Sequence, residues 1–428
     1  MSTSITSQYL ARYRRLGADG AAGPLPLTGA QRRFVLVRSL DAAGRPDLVP
    51  MFFAFPRGTV DPARLRSAAG RLAALHPVLR ARPAVVRGTP VLRLAEPDIP
   101  LTVLECAPGE QPQDVLRRAL AGWAAAGPPL RLYVARGGEE DVLAVVLDHI
   151  ACDGQSLARV VEELGAAYRD GLGPDGVPPA MAAGELAAYR EAVLLQLDAE
   201  HRASAPEALA YWGGRLRAVR ERAPLPRPAT APADAQPSGA AALRIPAPAS
   251  GAPFPVLLDA CRAAAEVLYG AGHLLPFGYP WGGRPVGAAP VLGCFLNTVV
   301  FPADTTAVPG TGTPSEAWWD DLDRADAPFD EVVHAARAAG SAWSGRLDGM
   351  LTVDAAARRA PLVLDGVAGR EVRVDGRPVR APFAVSVTQG PELDLHMVWD
   401  RTVLDDRTAE AAFAALHGAL RPAALATH

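Results

Sequence analysis

Two periodicities take turns along the first part of the chain. Leu48 to Phe55 reads as a strand, and Asp61 opens a helix to about Leu75 with Pro62 at the first helical position, where its missing N–H costs nothing. Short β-branched runs at Ala84–Val86 and Pro90–Leu94 precede an amphipathic helix over about Asp114–Ala124. Leu130–Ala135 and Val142–Leu147 read as strands, the second apolar on both faces, as a central strand covered on each side must be. From Ser156, a good N-cap residue, the period lengthens: Leu157, Val160, Val161, Leu164 and Tyr168 keep the spacing of one helical face.

The second part repeats the mixture. A helical stretch covers about Gly184–Val219, and residues 222–253 turn to Pro and Ala with hardly a bulky apolar side chain, which reads as a surface connector. Helices are expected at Val256–Tyr269, Asp330–Ala339 and Arg407–Leu420, a strand at Leu292–Phe301, and a hairpin from Phe383–Thr388 and Leu393–Trp399. Sheet-plus-helix character thus occurs on either side of roughly residue 180, without an internal repeat of solenoid period.

Composition narrows the chemistry. The 428 residues are 49% apolar and 21% charged with a net charge of −3, which describes an ordinary globular protein and excludes a general affinity for nucleic acid or an anionic membrane. Lys is absent and all 43 basic residues are Arg, so Schiff-base, P-loop and kinase-type Lys chemistry is excluded. Cys106, Cys152, Cys261 and Cys294 lie far apart without ligand spacing, which speaks against structural zinc or a disulfide framework. The polar N-terminus has no signal-peptide core, and no apolar run is long enough to span a membrane. A cytoplasmic protein with reduced thiols and no metal is expected.

The chemistry concentrates where strand gives way to helix, at Leu147-Asp148-His149-Ile150-Ala151-Cys152-Asp153-Gly154-Gln155-Ser156. Histidine as a residue type exchanges its proton near neutrality, so His149 has the means to orient an attacking amine or hydroxyl or take its proton. Asp153 braces the turn if it meets a buried Arg, because an unpaired buried carboxylate is costly. Gly154 lets a substrate approach the backbone, and the following helix N-terminus favours developing negative charge. Taken alone, the pattern favours a structural histidine at a strand end.

Further segments reverse that reading. The site resembles the His-His-x-x-x-Asp-Gly motif of the condensation domains of nonribosomal peptide synthetases. Thr28-Gly29-Ala30-Gln31-Arg32-Arg33 resembles that family's Ser-x-Ala-Gln-x-Arg, and His76-Pro77-Val78-Leu79-Arg80 its Arg-His-x-x-Leu-Arg. Tyr211-Trp212 with Leu216, Gly283-Arg284-Pro285, Gly293-Cys294-Phe295-Leu296-Asn297-Thr298 and Asp326-Ala327-Pro328-Phe329-Asp330 are similar to the later motifs, in the family's order. The resemblance implies an α/β fold of two chloramphenicol-acetyltransferase-like lobes with mixed sheets, in a V-shaped pseudo-dimer with a tunnel between them. The expected bounds are an extension at 1–26, an N-terminal lobe at 27–178 and a C-terminal lobe at 179–428 containing the 222–253 connector.

The resemblance further implies that an acyl or aminoacyl thioester, carried on the phosphopantetheine arm of a carrier protein, is joined to an amine or hydroxyl. No cofactor of the protein's own is implied. His149 matches the catalytic His, with Asp153 and Gly154 completing the catalytic motif. Arg80 is expected to pair with Asp153, Asp148 and Ser156 to support the site, and Asn297 and Arg284 to bind substrate. Asn297 fits equally a role in satisfying backbone groups at a strand end. Trp212 and Trp281 read as packing residues and Cys152 as a small buried filler.

One departure stands out: the first motif His is Asp148. Asp148, Asp153 and Ser156 thereby also fit the Asp-x-x-x-x-Asp-x-x-Ser of heterocyclization domains, whereas His149 is retained. Adenylation, carrier-attachment and thioesterase motifs are not found, so either a free-standing enzyme acting in trans or an excised domain is expected, with the Met1 start favouring the first. The alternatives are a coenzyme A-dependent O-acyltransferase of the same superfamily and a non-catalytic module that docks a carrier or recruits another enzyme.

Overall fold

The computed structural model describes residues 4–17, 23–40, 47–123, 127–224, 236–248, 251–305, 314–356 and 361–425. The chain divides into two compact units, each discontinuous in sequence. The first comprises Met1–Arg202, Gly282–Leu296 and Arg359–Val374, the second Ala203–Trp281, Asn297–Arg358 and Asp375–His428. The division thus falls at 202/203 instead of 178/179, and two later segments return to the first unit.

In chain order the first unit opens with α1 (Ile5–Arg14), α2 (Gly29–Leu40), β1 (Leu48–Pro56), α3 (Pro62–Leu75), β2 (Ala81–Val86), β3 (Thr89–Leu94), β4 (Leu101–Glu105), α4 (Pro112–Ala121), β5 (Leu130–Arg136), β6 (Glu140–Asp148), α5 (Gly154–Arg169) and α6 (Pro179–Ala203). The second unit follows with α7 (Pro206–Arg215), β7 (Ser238–Pro246), α8 (Phe254–Tyr269), β8 (Leu274–Gly282), β9 (Leu296–Asp304), α9 (Pro314–Leu322), α10 (Phe329–Ala338) and β10 (Gly349–Ala355). The chain then re-enters the first unit as β11 (Val363–Leu364), β12 (Val367–Ala368) and β13 (Arg370–Glu371), and ends in the second as β14 (Phe383–Gln389), β15 (Glu392–Asp400) and α11 (Asp406–Leu425).

The first sheet has the order β13-β1-β6-β5-β4, antiparallel except for the parallel β5–β4 pair. Successive side chains on a strand face opposite sides, and β1 and β6 obey this strictly. Phe53, Phe55, Leu143, Val145 and Leu147 enter one core with α3, α5 and α6, while Phe52, Ala54, Val142, Ala144 and Val146 enter a second with α4. β6 is therefore buried on both faces, as its sequence requires, and it ends at the candidate site. Local signals explain the helices: Asp61 caps α3 by accepting from the N–H groups of Ala63 and Arg64, and Pro62 opens it.

The extension expected at 1–26 is no loose tail, because α1 buries Tyr9 and Tyr13 in the first unit. The second sheet runs β7-β15-β14-β10-β8-β9, mixed, over a core containing Trp212, Trp343 and Trp399. Residues 225–235 and 249–250 of the expected connector lie outside the described residues, but part of the rest is the edge strand β7, paired antiparallel with β15. Its small residues have a steric reason. A Cβ on Gly239 would meet the Trp399 ring at 2.2 Å, so bulk is excluded there.

Candidate active site

The site grows from the end of β6. Asp148 closes the strand, and a turn through residues 149–152 follows, held by the Ala151 N–H donating to the Asp148 carbonyl (2.8 Å). His149 Nδ1 lies 2.9 Å from the Cys152 carbonyl oxygen, and a carbonyl only accepts, so the hydrogen bond places the proton on Nδ1. Nε2 is left as the basic nitrogen and has no partner among the described residues. Phe34 stacks on the imidazole at 4.6 Å and 23°.

Asp153, fully buried, is the N-cap of α5, a place the spacing had given to Ser156. Its Oδ1 accepts from the Ser156 N–H (3.1 Å) and hydroxyl (3.0 Å), and its Oδ2 from the Phe295 N–H (3.0 Å). Its ionic partner is Arg284, whose guanidinium lies 2.6 Å and 2.7 Å from the two carboxylate oxygens. The expected Arg80–Asp153 pair is therefore corrected: Arg80 instead donates to the Ala95 carbonyl (3.0 Å).

Arg284 is likewise reassigned from substrate binding to bracing. Besides Asp153 it donates to the Val291 carbonyl (3.0 Å), the Ser156 hydroxyl (2.8 Å) and the Gly293 carbonyl (3.2 Å), and it covers the Phe295 ring at 4.8 Å. Ser156 completes the brace: its one hydroxyl proton faces both Asp153 Oδ1 and the Gly293 carbonyl, each 3.0 Å away, and its oxygen accepts from the Gly293 N–H at 3.2 Å. The returning segment 282–296 is thus bolted to the first turn of α5. Gly154 stands free of this network, and a Cβ placed on it would meet nothing within 4 Å. Of the first N–H groups of α5, which lack intrahelical partners by geometry, that of Ser156 is taken by Asp153, and those of Gly154 and Gln155 are left for a developing oxyanion.

Asp148 points elsewhere. Its carboxylate meets Arg38 at 2.5 Å and accepts from the Ile150 N–H at 3.1 Å. Burial pushes its carboxyl up from the ordinary range, and the Arg38 guanidinium pulls the other way. α2 supplies that Arg and begins with a reciprocal cap: the Thr28 N–H donates to Gln31 Oε1 (3.0 Å) and the Gln31 N–H to Thr28 Oγ1 (3.2 Å). Gln31 Nε2 then donates to the Ile150 carbonyl at 2.8 Å. The thiols of Cys152 and Cys294 are fully buried, and burial drives both well above their ordinary pKa, so neither is a ready nucleophile.

Asn297, in the second unit, does not offer its amide to a substrate. Nδ2 donates to the carbonyls of Ala325 (2.8 Å) and Ala327 (2.6 Å), and Oδ1 accepts from the Phe329 N–H (3.1 Å), closing the loop before α10. The backbone-satisfying role is the one it fills. Trp212 is buried in the second core with its indole N–H on the Arg324 carbonyl, and Trp281 packs against that core.

No protein-family profile matches the chain. Over 306 residues, 67% of the chain, it is 32% identical to the probable non-canonical nonribosomal peptide synthetase CymA of Salinispora arenicola. The match covers 4% of that synthetase, and for the curated relatives generally the share is between 4% and 14%. Among solved structures, the X-domain from teicoplanin biosynthesis is similar over 94% of this chain and 95% of its own (TM-score 0.70, 21% identity), and it is also known in complex with OxyB (TM-score 0.68, 22% identity, 94% and 93%). The first condensation domain of the calcium-dependent antibiotic synthetase, in complex with a substrate analogue, is similar over 95% and 97% (TM-score 0.69, 19% identity).

Proposed function

Because the chain belongs to the condensation-domain family of nonribosomal peptide synthetases, we propose that it transfers an acyl or aminoacyl group from a carrier-bound pantetheine thioester to an amine or hydroxyl. The observation that carries this reading is His149, whose Nδ1–H is committed to the Cys152 carbonyl so that Nε2 remains a base. As the nucleophile attacks the thioester carbonyl, its new bond to carbon forms and its proton passes to Nε2. The α5 N-terminus beside Gly154 receives the oxyanion. Collapse breaks the C–S bond, and the imidazolium returns the proton to the departing thiolate, leaving amide or ester and free carrier thiol.

The buried carboxylates are both engaged, Asp148 with Arg38 and Asp153 with Arg284, which favours plain condensation over a cyclising role for the acids. The test loads a candidate carrier with a panel of acyl-pantetheines, adds amines and alcohols, and follows products by mass spectrometry. Product is expected with wild type and reduced roughly 100-fold or more with His149→Ala. Product from free acyl-coenzyme A as readily as from the carrier would place the donor elsewhere.

A second reading has its own observation, the similarity to an X-domain solved in complex with OxyB. In that case the chain docks a partner without turnover. Carrier binding with no product from wild type or His149→Ala alike would select it.

A further inference from the structure

We propose that Arg38 is a positioning residue, which through Asp148 sets the turn that holds His149 in its basic tautomer. This rests on the reading of His149 as the base.

Three side chains of α2 at helical spacing, Gln31, Phe34 and Arg38, meet three consecutive residues of the turn in reverse order. Gln31 donates to the Ile150 carbonyl at 2.8 Å, Phe34 stacks on the His149 ring at 4.6 Å, and Arg38 pairs with the Asp148 carboxylate at 2.5 Å. Residues three and four apart share a helix face, so one face of one helix runs antiparallel along the segment that carries the catalytic group.

The Arg38–Asp148 pair is shielded, with the two side chains 14% and 6% exposed, so its attraction is little screened. Asp148 transmits it. One carboxylate oxygen takes Arg38 and the other takes the Ile150 N–H, the residue that Gln31 also holds through its carbonyl. That turn decides where the Cys152 carbonyl lies, and this carbonyl keeps the proton on Nδ1. Asp148 is therefore not a worn-out copy of a histidine. It forms one half of a clamp whose other half is Arg38.

The experiment reads His149 itself, without substrate. Protein with nitrogen-labelled histidine is examined by long-range proton–nitrogen NMR, which separates the Nδ1–H from the Nε2–H form. Wild type is expected as Nδ1–H. Arg38→Gln and Asp148→Asn, the latter keeping an acceptor for the Ile150 N–H, are expected to give mixed tautomers of His149. Arg38→Lys should restore the wild-type signature in part.

Where turnover is measurable, the same variants should lose about 10- to 100-fold in kcat with little change in KM, as misplacement of a catalytic group does. Folded Arg38→Gln or Asp148→Asn protein whose His149 signals match wild type overturns the proposal. Should Arg38→Gln not fold, Asp148→Asn and Arg38→Lys decide it in the same way. Mixed tautomers in wild type would instead overturn the reading of the base.

Discussion

At the scale of single residues the fold holds charges where water cannot reach them, and the surroundings decide their protonation. Asp348, nearly buried in the second unit, accepts from the Arg222 N–H at 3.1 Å, with Glu221, Arg222 and Arg346 as its charged neighbours. Burial pushes its carboxyl from 3.8 up to about 7. An acid that holds its proton more tightly folded than unfolded makes stability fall as pH rises between those two values. Asp348→Asn removes that dependence, so thermal unfolding should show the variant gaining on wild type from pH 4 to pH 7 (about one pH unit either way). A constant difference across the range would contradict it. The same residue-scale view explains Asn297, whose placement in a Gly-x-Phe-x-Asn-Thr-like motif left two roles open until its three hydrogen bonds placed it.

At the scale of elements, two clusters of buried charge tie helices together. His76, buried at the end of α3, lies 2.5 Å from Glu163 of α5 and 3.4 Å from Glu185 of α6, and Arg159 bridges both acids. Burial disfavours its cation, but the two carboxylates outweigh this and the net pKa is raised. A raised histidine stabilises the fold below its ordinary pKa and loses that contribution as pH rises through the folded-state value. The stability advantage of wild type over His76→Gln should therefore shrink as pH rises above 6.5, as seen by denaturant titration. In the other cluster, Arg284→Met strands the Asp153 carboxylate and should cost about 3–5 kcal/mol, whereas Arg80→Met should cost much less. Equal losses would restore the pairing expected from sequence.

Much of this layer was legible. Asp61-Pro62 marks α3, the twofold apolar β6 marks the centre of a sheet, and the His-x-x-x-Asp-Gly run marks the turn between β6 and α5. What stayed hidden was set by distance in sequence or by small side chains. β7 was hidden by its small residues, and at Gly239 the Trp399 ring fills the space a side chain would take. Arg284 lies 131 residues from Asp153, and nothing local distinguishes it from Arg80 as a partner. Arg38 carries no motif signal at all, since its role exists only once α2 lies along the turn.

At the scale of the whole molecule, each unit has a core of its own and its own buried thiols. Cys152 and Cys294 are fully buried in the first unit and Cys261 in the second, while Cys106 is partly accessible. A thiol reagent added to native protein should therefore label Cys106 first. The other thiols should react only on opening, with Cys152 and Cys294 at one common rate. Separate rates for those two would contradict the first unit opening as a whole. Among the described residues no helix is long and apolar enough to cross a membrane. The return of 282–296 to the first unit also has a consequence for synthesis. A ribosome delivers Asp153 long before it delivers Arg284, and with the two 131 positions apart, at about 5–20 residues per second, the wait is on the order of 10 s. During that interval the nascent chain holds a carboxylate destined for burial whose counter-ion has not yet been made, so the site closes only after much of the second unit has emerged.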